Sequence, residues 1–204
     1  MINFLPYSTE FRINLDREDY FLFFGRLSFE KGILTLIKAF SKMPGSAVLK
    51  IAGNGPQFGE IEDYLKQNNL ENRIQLLGFK EREQMDHLIR KAKCVVVPSE
   101  WYENGPYTVM ETLAKGVPVI ASSNGGLPEM IIDGYNGYLF KAGNGEELLR
   151  KMKMVSQVDK KTYEKLCLNA LNFAKEEFQG EKYIKDIIKV YVKLINGSNK
   201  ELGM

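Results

Sequence analysis

The sequence predicts an α/β protein: a Rossmann-like, doubly wound parallel sheet with helices on both faces, followed by a C-terminal helical tail. Three observations predict it. Short runs rich in Val, Ile and Phe alternate with amphipathic stretches from Tyr20 to Val158. Those runs lack a polar alternation, as strands do when both faces of a parallel sheet are covered. From Asp159 onward only helical periodicity remains. Strand alternating with helix is the doubly wound signature, and right-handed crossovers place all strand C-termini along one edge, where ligands bind.

Tyr20–Phe24 reads as the first strand, ended by Gly25. Ile33–Phe40 has apolar residues at helical spacing, and Ser41 to Gly45 stop it. Ala47–Ala52 is a strand closed by Gly53-Asn54-Gly55-Pro56, with a helix over Gln57–Asn68. Ile74–Leu77 is a strand ended by Gly78, Glu81–Ala92 a helix, and Cys94–Val97 a buried strand ended by Pro98. Val109–Lys115 is helical and capped by Gly116; Val117–Ala121 and Tyr138–Phe140 are strands; Glu146–Val158 is a helix. Thr162–Phe178 and Glu181–Ile195 form the helical tail. The expected organisation is a linker-like segment over 1–19, the Rossmann-like domain over 20–158, helices over 159–195 and a frayed end over 196–204.

Composition narrows the function. A chain of 204 residues suits one such domain. Twenty-eight Lys and Arg against 26 Asp and Glu leave a net charge of +2, so no basic stripe for nucleic acid is expected. No apolar run approaches the roughly 18–20 residues of a membrane span. The start, MINFLPYSTE, has neither a basic stretch nor a long apolar one, so no signal peptide is expected. Cys94 and Cys167 lie too far apart for a C-x-x-C motif, and His87 is the sole histidine, set among helix residues. Zinc and histidine-based hydrolysis are therefore poor readings, and no metal is expected.

Four loops could carry chemistry. Gly53-Asn54-Gly55-Pro56-Gln57-Phe58-Gly59 stands between a strand and a helix, as a phosphate cradle or simply as a tight turn. A dinucleotide-dependent dehydrogenase ranks last among the readings, because no ribose-binding acid ends the following strand. Gly25 to Gly32 carries Arg26 and Lys31, a guanidinium and an ammonium suited to clamping a diphosphate. Glu100 to Glu111 places Glu103 and Glu111 either side of a Gly-Pro turn into a helix; Glu111 is either a solvated helix residue or an acceptor for two ribose hydroxyls. Ser122 to Glu129, with Asn124-Gly125-Gly126, is an ordinary turn that reaches the same edge.

In their order, these segments resemble the retaining glycosyltransferases of family 4, the glycosyl transferases group 1. The resemblance rests on Arg26 and Lys31 with Gly32, on Gly53-Asn54-Gly55-Pro56, and on Leu77-Gly78-Phe79. It rests also on Glu103 and Glu111 in E-x7-E spacing, on Gly125-Gly126-Leu127-Pro128-Glu129, and on Asp133-Gly134-Tyr135-Asn136-Gly137-Tyr138-Leu139-Phe140. It runs from about Tyr20 to Glu147.

The resemblance implies one half of a GT-B fold, the C-terminal half that binds a nucleotide-diphosphate sugar. The missing partner is the N-terminal domain that holds the acceptor, and the last helix, near Tyr183–Ile195, resembles the one that crosses back onto it. By the same resemblance Arg26 and Lys31 hold the diphosphate and stabilise the leaving group, and Glu103 faces the donor sugar. Glu111 binds the ribose; Pro106, Tyr107 and Thr108 contact sugar or phosphate through backbone; Gly78, Phe79 and Lys80 lie against the base. Gly25, Gly53 and Gly55 belong to the same binding set. The family's commonest motif begins E-P-F-G, where this chain has Glu103-Asn104-Gly105-Pro106. Implied further are transfer without metal or cofactor, a role in glycan or cell-envelope polysaccharide synthesis, and a cytoplasmic place with peripheral contact at the inner face of the membrane through the full-length enzyme. Two alternatives stand beside it: a non-catalytic nucleotide-sugar-binding domain, and a GT-B nucleotide-sugar 2-epimerase.

Overall fold

A computed structural model describes residues 4, 5 and 11–201. Among these, six parallel strands form one sheet: β1 (Tyr20–Phe24), β2 (Val48–Ala52), β3 (Ile74–Gly78), β4 (Cys94–Val97), β5 (Val119–Ser122) and β6 (Gly137–Phe140). Their spatial order is β3-β2-β1-β4-β5-β6. The helices are α1 (Ile33–Ser41), α2 (Phe58–Gln67), α3 (Arg82–Lys91), α4 (Tyr107–Ala114), α5 (Leu127–Met130), α6 (Gly145–Gln157), α7 (Lys160–Glu177) and α8 (Gly180–Glu201), with a 3-10 turn at Phe29–Lys31. The chain builds outward from β1 to β3, then returns to lay β4 on the other side of β1. Between β1 and β4 the winding reverses, and the loops leaving these two strands diverge to open a crevice.

Period-two alternation along β1 feeds both faces of the sheet. Phe21 and Phe23 join a core with Ile33, Leu36 and Phe40 of α1, Ile61 of α2, and Leu148 and Met152 of α6. Tyr20 and Leu22 join another with Ile89 of α3, Val109 and Leu113 of α4, and Ala170 and Ala174 of α7. All four residues of β4 are buried, which is why its sequence shows no alternation. Each large side chain so buried contributes about 1.5–3 kcal/mol, and truncating Phe21 or Phe40 to alanine costs about 3–5 kcal/mol.

Several element ends differ from the sequence reading. β5 starts at Val119 rather than Val117, because Pro118 has no N–H and the Val117 N–H turns back to the Thr112 carbonyl at 3.2 Å. α4 starts at Tyr107 rather than Val109, with extended Pro106 as its N-cap. The turn expected over Ser122 to Glu129 contains the start of α5, whose Pro128 sits in a first turn that needs no N–H from it. α8 continues past Ile195 to Glu201, since Asn196-Gly197-Ser198 weakens a helix without removing its hydrogen bonds. Residues 202–204, expected to fray, lie outside the described residues, as do 1–3 and 6–10 of the linker-like segment.

Residues 11–19 form no regular element but are tied to the domain. The Arg17 guanidinium donates to the carbonyls of Arg90, Lys115 (3.2 Å) and Gly116 (2.9 Å), setting a cation against the C-terminal ends of α3 and α4. Cys94 and Cys167 are free and buried, and burial pushes both thiols up, away from reactivity. His87 is exposed on α3, beside a groove of about 500 Å³ lined also by Leu77, Lys80 and Leu88.

Candidate functional site

At the reversal point the loops pack backbone against backbone. Gly32, at φ 66°, lies so close to the end of β4 that a Cβ there would stand 2.0 Å from the Pro98 carbonyl oxygen. The Glu100 N–H donates to the Glu30 carbonyl at 2.9 Å, which closes the contact. On the opposite flank Gly53, at φ 137°, would put a Cβ 1.9 Å from the Gly25 oxygen, and Gly55 would put one 2.3 Å from the Leu27 oxygen. The Leu27 N–H donates to Asn54 O at 2.9 Å, and the Gln57 N–H to Leu27 O at 3.0 Å. Packing of the β2–α2 loop onto the β1–α1 loop thus accounts for both glycines. In this arrangement the Gly53 N–H donates to Gly78 O at 2.8 Å and the Gly55 N–H to Asn54 Oδ1 at 2.8 Å.

This packing brings Lys31 and Glu103 together. Lys31 Nζ donates to Glu103 Oε1 at 2.6 Å, with the two side chains 31% and 15% exposed. The same carboxylate oxygen accepts from Ser99 Oγ at 2.8 Å. Arg26 does not share that partner. Its side chain is 69% exposed and donates to Glu30 Oε1 at 2.8 Å. Glu30 Oε1 also accepts from Ser28 Oγ at 2.6 Å. The Ser28 hydroxyl, backbone bonding and the Arg26 guanidinium together hold the Glu30 carboxyl down to about 2. An ammonium carries three donors, so Lys31 keeps protons for an anion while paired with Glu103.

Glu111 lies in the second turn of α4, half-buried, and among the described residues its carboxylate has no hydrogen-bond or ion-pair partner. An ionised carboxylate of this kind is an acceptor-only group, on the helix that follows the β4–α4 loop. The start of α4 carries no side-chain cap, so Pro106, Tyr107 and Thr108 present a helix N-terminus of the kind that attracts phosphate. Phe79, just past β3, is 70% exposed, with half-buried Lys80 beside it. Phe29, Trp101, Tyr102 and Tyr107 are also exposed large aromatics on or beside the β1–α1 and β4–α4 loops. Ser99 and Glu30, the partners of Glu103 and Arg26, are ones that sequence reasoning missed; the only local signal for Ser99 is its place directly after a strand-ending proline. A cation paired with a carboxylate, a carboxylate with no partner among the described residues and a helix start without a side-chain cap come from loops at one sheet edge, group types that suit phosphates and hydroxyls.

A family profile described as Glycosyl transferases group 1 matches residues 9–173, and the chain belongs to that family. Its six-stranded sheet with flanking helices corresponds to the C-terminal domain of a GT-B glycosyltransferase. An uncharacterized glycosyltransferase of Methanocaldococcus jannaschii, MJ1178, is 35% identical over 85% of this chain and 48% of its own length. The amylovoran biosynthesis glycosyltransferase AmsK of Erwinia amylovora is 28% identical over 65% of this chain and 34% of its own. Among solved structures, Anabaena Alr3699/HepE in complex with UDP-glucose superposes with a TM-score of 0.77 at 25% identity, covering 88% of this chain and 50% of that one. The C-terminal domain of the group 1 protein LpcC from Francisella tularensis gives 0.71 at 25% identity, over 80% of this chain and 88% of that one. The chain spans about half the length of the curated relatives it matches. Among the described residues no helix is long and apolar enough to cross a membrane, and no cluster of three metal-ligating side chains occurs.

Proposed function

We propose that this chain is the donor half of a retaining glycosyltransferase, binding a nucleotide-diphosphate sugar in the crevice between the β1–α1 and β4–α4 loops. The observation that carries the reading is the half-buried Lys31–Glu103 pair at the reversal point, with the Glu111 carboxylate, partnerless among the described residues, on the next helix. In transfer the bond between the anomeric carbon and the diphosphate oxygen breaks and its electron pair leaves with the nucleoside diphosphate, while the acceptor hydroxyl oxygen bonds to the anomeric carbon and its proton passes to the departing diphosphate. Lys31 and Arg26 take up that developing charge, a contribution that becomes large once a second domain covers the crevice and excludes water. Glu103 faces the sugar, and Glu111 accepts from the ribose hydroxyls. The start of α4, which has no side-chain cap, approaches the phosphates, and Gly78, Phe79 and Lys80 lie along the base, with Gly25, Gly53 and Gly55 shaping the floor. The acceptor is held by a second domain, so the full-length enzyme performs transfer without a metal, at or near a membrane surface, in polysaccharide assembly. HepE's complex with UDP-glucose and AmsK's name support the donor class and the pathway type.

The test is calorimetry of the purified chain with UDP-glucose, GDP-mannose and ADP-glucose, against uridine, guanosine and adenosine. At least one nucleotide sugar is expected to bind, and Lys31→Ala is expected to weaken it while leaving the bare nucleoside unaffected. No binding by any of the three, or an equal loss for nucleoside and nucleotide sugar, would overturn the assignment.

A further inference from the structure

We infer that Ser99 is a positioning residue for the Lys31–Glu103 pair: its buried hydroxyl fixes the carboxylate so that the lysine ammonium faces the crevice in one orientation. That the ammonium then meets a diphosphate rests on the reading above.

The Ser99 side chain is fully buried at the end of β4, directly after Pro98. Three oxygens lie within reach of its Oγ: Glu103 Oε1 at 2.8 Å, the Glu30 carbonyl at 3.1 Å and the Trp101 carbonyl at 3.4 Å. A hydroxyl donates one proton, and the charged, nearest acceptor takes it. The Glu30 carbonyl is not left wanting, since the Glu100 N–H donates to it at 2.9 Å. The serine is itself immobile: its carbonyl accepts from the fully buried Ser122 hydroxyl at 2.6 Å, which locks the ends of β4 and β5 together. The backbone of Glu103 is held from a third direction, because the Gly126 N–H donates to its carbonyl at 2.6 Å. Glu103 Oε1 thus receives two donors, one rigid and one at the end of a flexible four-carbon stem. Without the rigid one the carboxylate can rotate and carry the ammonium with it. Ser99 touches no ligand in this scheme; it acts through Glu103.

Three variants of the full chain separate a hydrogen bond from a packing role. Ser99→Ala removes the hydroxyl, Ser99→Cys keeps the volume with a weak donor, and Ser99→Thr keeps the hydroxyl. The first readout needs no ligand: hydrogen exchange of the Lys31 ammonium protons by nitrogen-15 NMR. Exchange is expected to quicken in the Ala and Cys forms and to stay slow in wild type and Thr. The second readout is affinity for UDP-glucose, GDP-mannose and ADP-glucose. For the sugars that wild type binds, it is expected to fall about three- to tenfold in Ala and Cys, with nucleoside affinity unchanged. Wild-type ammonium exchange in the Ala variant, or a Cys variant that behaves as wild type, overturns the inference whether or not any nucleotide sugar binds. Failure of wild type to bind any of the three donors overturns the donor reading instead, and the ammonium readout still decides Ser99.

Discussion

At the scale of the residue, Glu111 and Glu30 show how two carboxylates on one sheet edge come to differ. Glu111 has no partner among the described residues, so its charge is available to a ligand and its loss frees no buried donor. Glu111→Ala is therefore expected to weaken nucleotide-sugar binding by about 1.5–3 kcal/mol, the range for hydrogen bonds to a charged group, with little change in the unfolding midpoint. Calorimetry together with a urea titration checks both halves, and unaltered donor affinity would remove Glu111 from the ribose site. Glu30 is the opposite case, committed to Ser28 and Arg26. Its folded value of about 2 lies below the ordinary 4.5, so whatever stability it contributes is fully present above the ordinary value and fades as pH falls toward about 2. The stability difference between wild type and Glu30→Gln is accordingly expected to be flat from pH 8 to 5 and to shrink below that. A difference that grows as pH falls would show that Glu30 is not held by these donors. These two residues also mark what the sequence carries. The E-x7-E spacing places Glu103 and Glu111 on either side of one turn, which local pattern can reveal. That Lys31 meets Glu103, 72 positions away, depends on two loops touching at the reversal point, and no local periodicity encodes it.

At the scale of the element, the strands are legible because runs such as Tyr20 to Phe23 and Cys94 to Val97 are buried on both faces and a glycine or proline soon follows each. Their edges are less so. α5 hides in a Gly-Gly turn, and the start of β5 is set by a hydrogen bond from Val117 back to Thr112 rather than by composition. Glycines divide the same way, between those that punctuate and those that let loops touch. Gly32 belongs to the second kind: it combines a left-handed φ of 66° with a backbone oxygen 2.0 Å from where a side chain would begin. Gly32→Ala is expected to cost about 2–4 kcal/mol in urea denaturation, because the β1–α1 loop must lift off Pro98. Gly59, inside α2 with open space around it, supplies the contrast. Gly59→Ala is expected to stabilise by up to about 1 kcal/mol through helix propensity. Equal effects at the two positions would show that the contact between the β1–α1 loop and the end of β4 is not what keeps Gly32.

At the scale of the whole molecule, the binding loops and the apolar surface of α8 point to one conclusion about transfer. Ile184, Ile188, Tyr191 and Ile195 follow one another at helical spacing on α8 and are 52%, 53%, 63% and 61% exposed. A stripe of that kind is what a helix buries against a neighbour. The chain spans about half the length of its curated relatives, so the acceptor domain of the proposed function would lie in the other half. On the proposed function, Lys31 and Arg26 without a covering domain would act through water and stabilise a departing diphosphate weakly, and the acceptor would lack the positioning that a second domain gives. The isolated chain is therefore expected to bind its donor and to transfer sugar at a negligible rate, with transfer restored when an N-terminal half of the kind its relatives carry is supplied in trans. Ile188→Glu combined with Tyr191→Glu is expected to abolish that restoration while leaving donor affinity unchanged, since α8 lies outside the nucleotide loops. Product formation from labelled donor, with and without the second half, measures the first expectation, and calorimetry on the double variant measures the second. Robust transfer by the isolated chain would place the acceptor on this half, and full restoration by the double variant would free α8 of any role in joining the two.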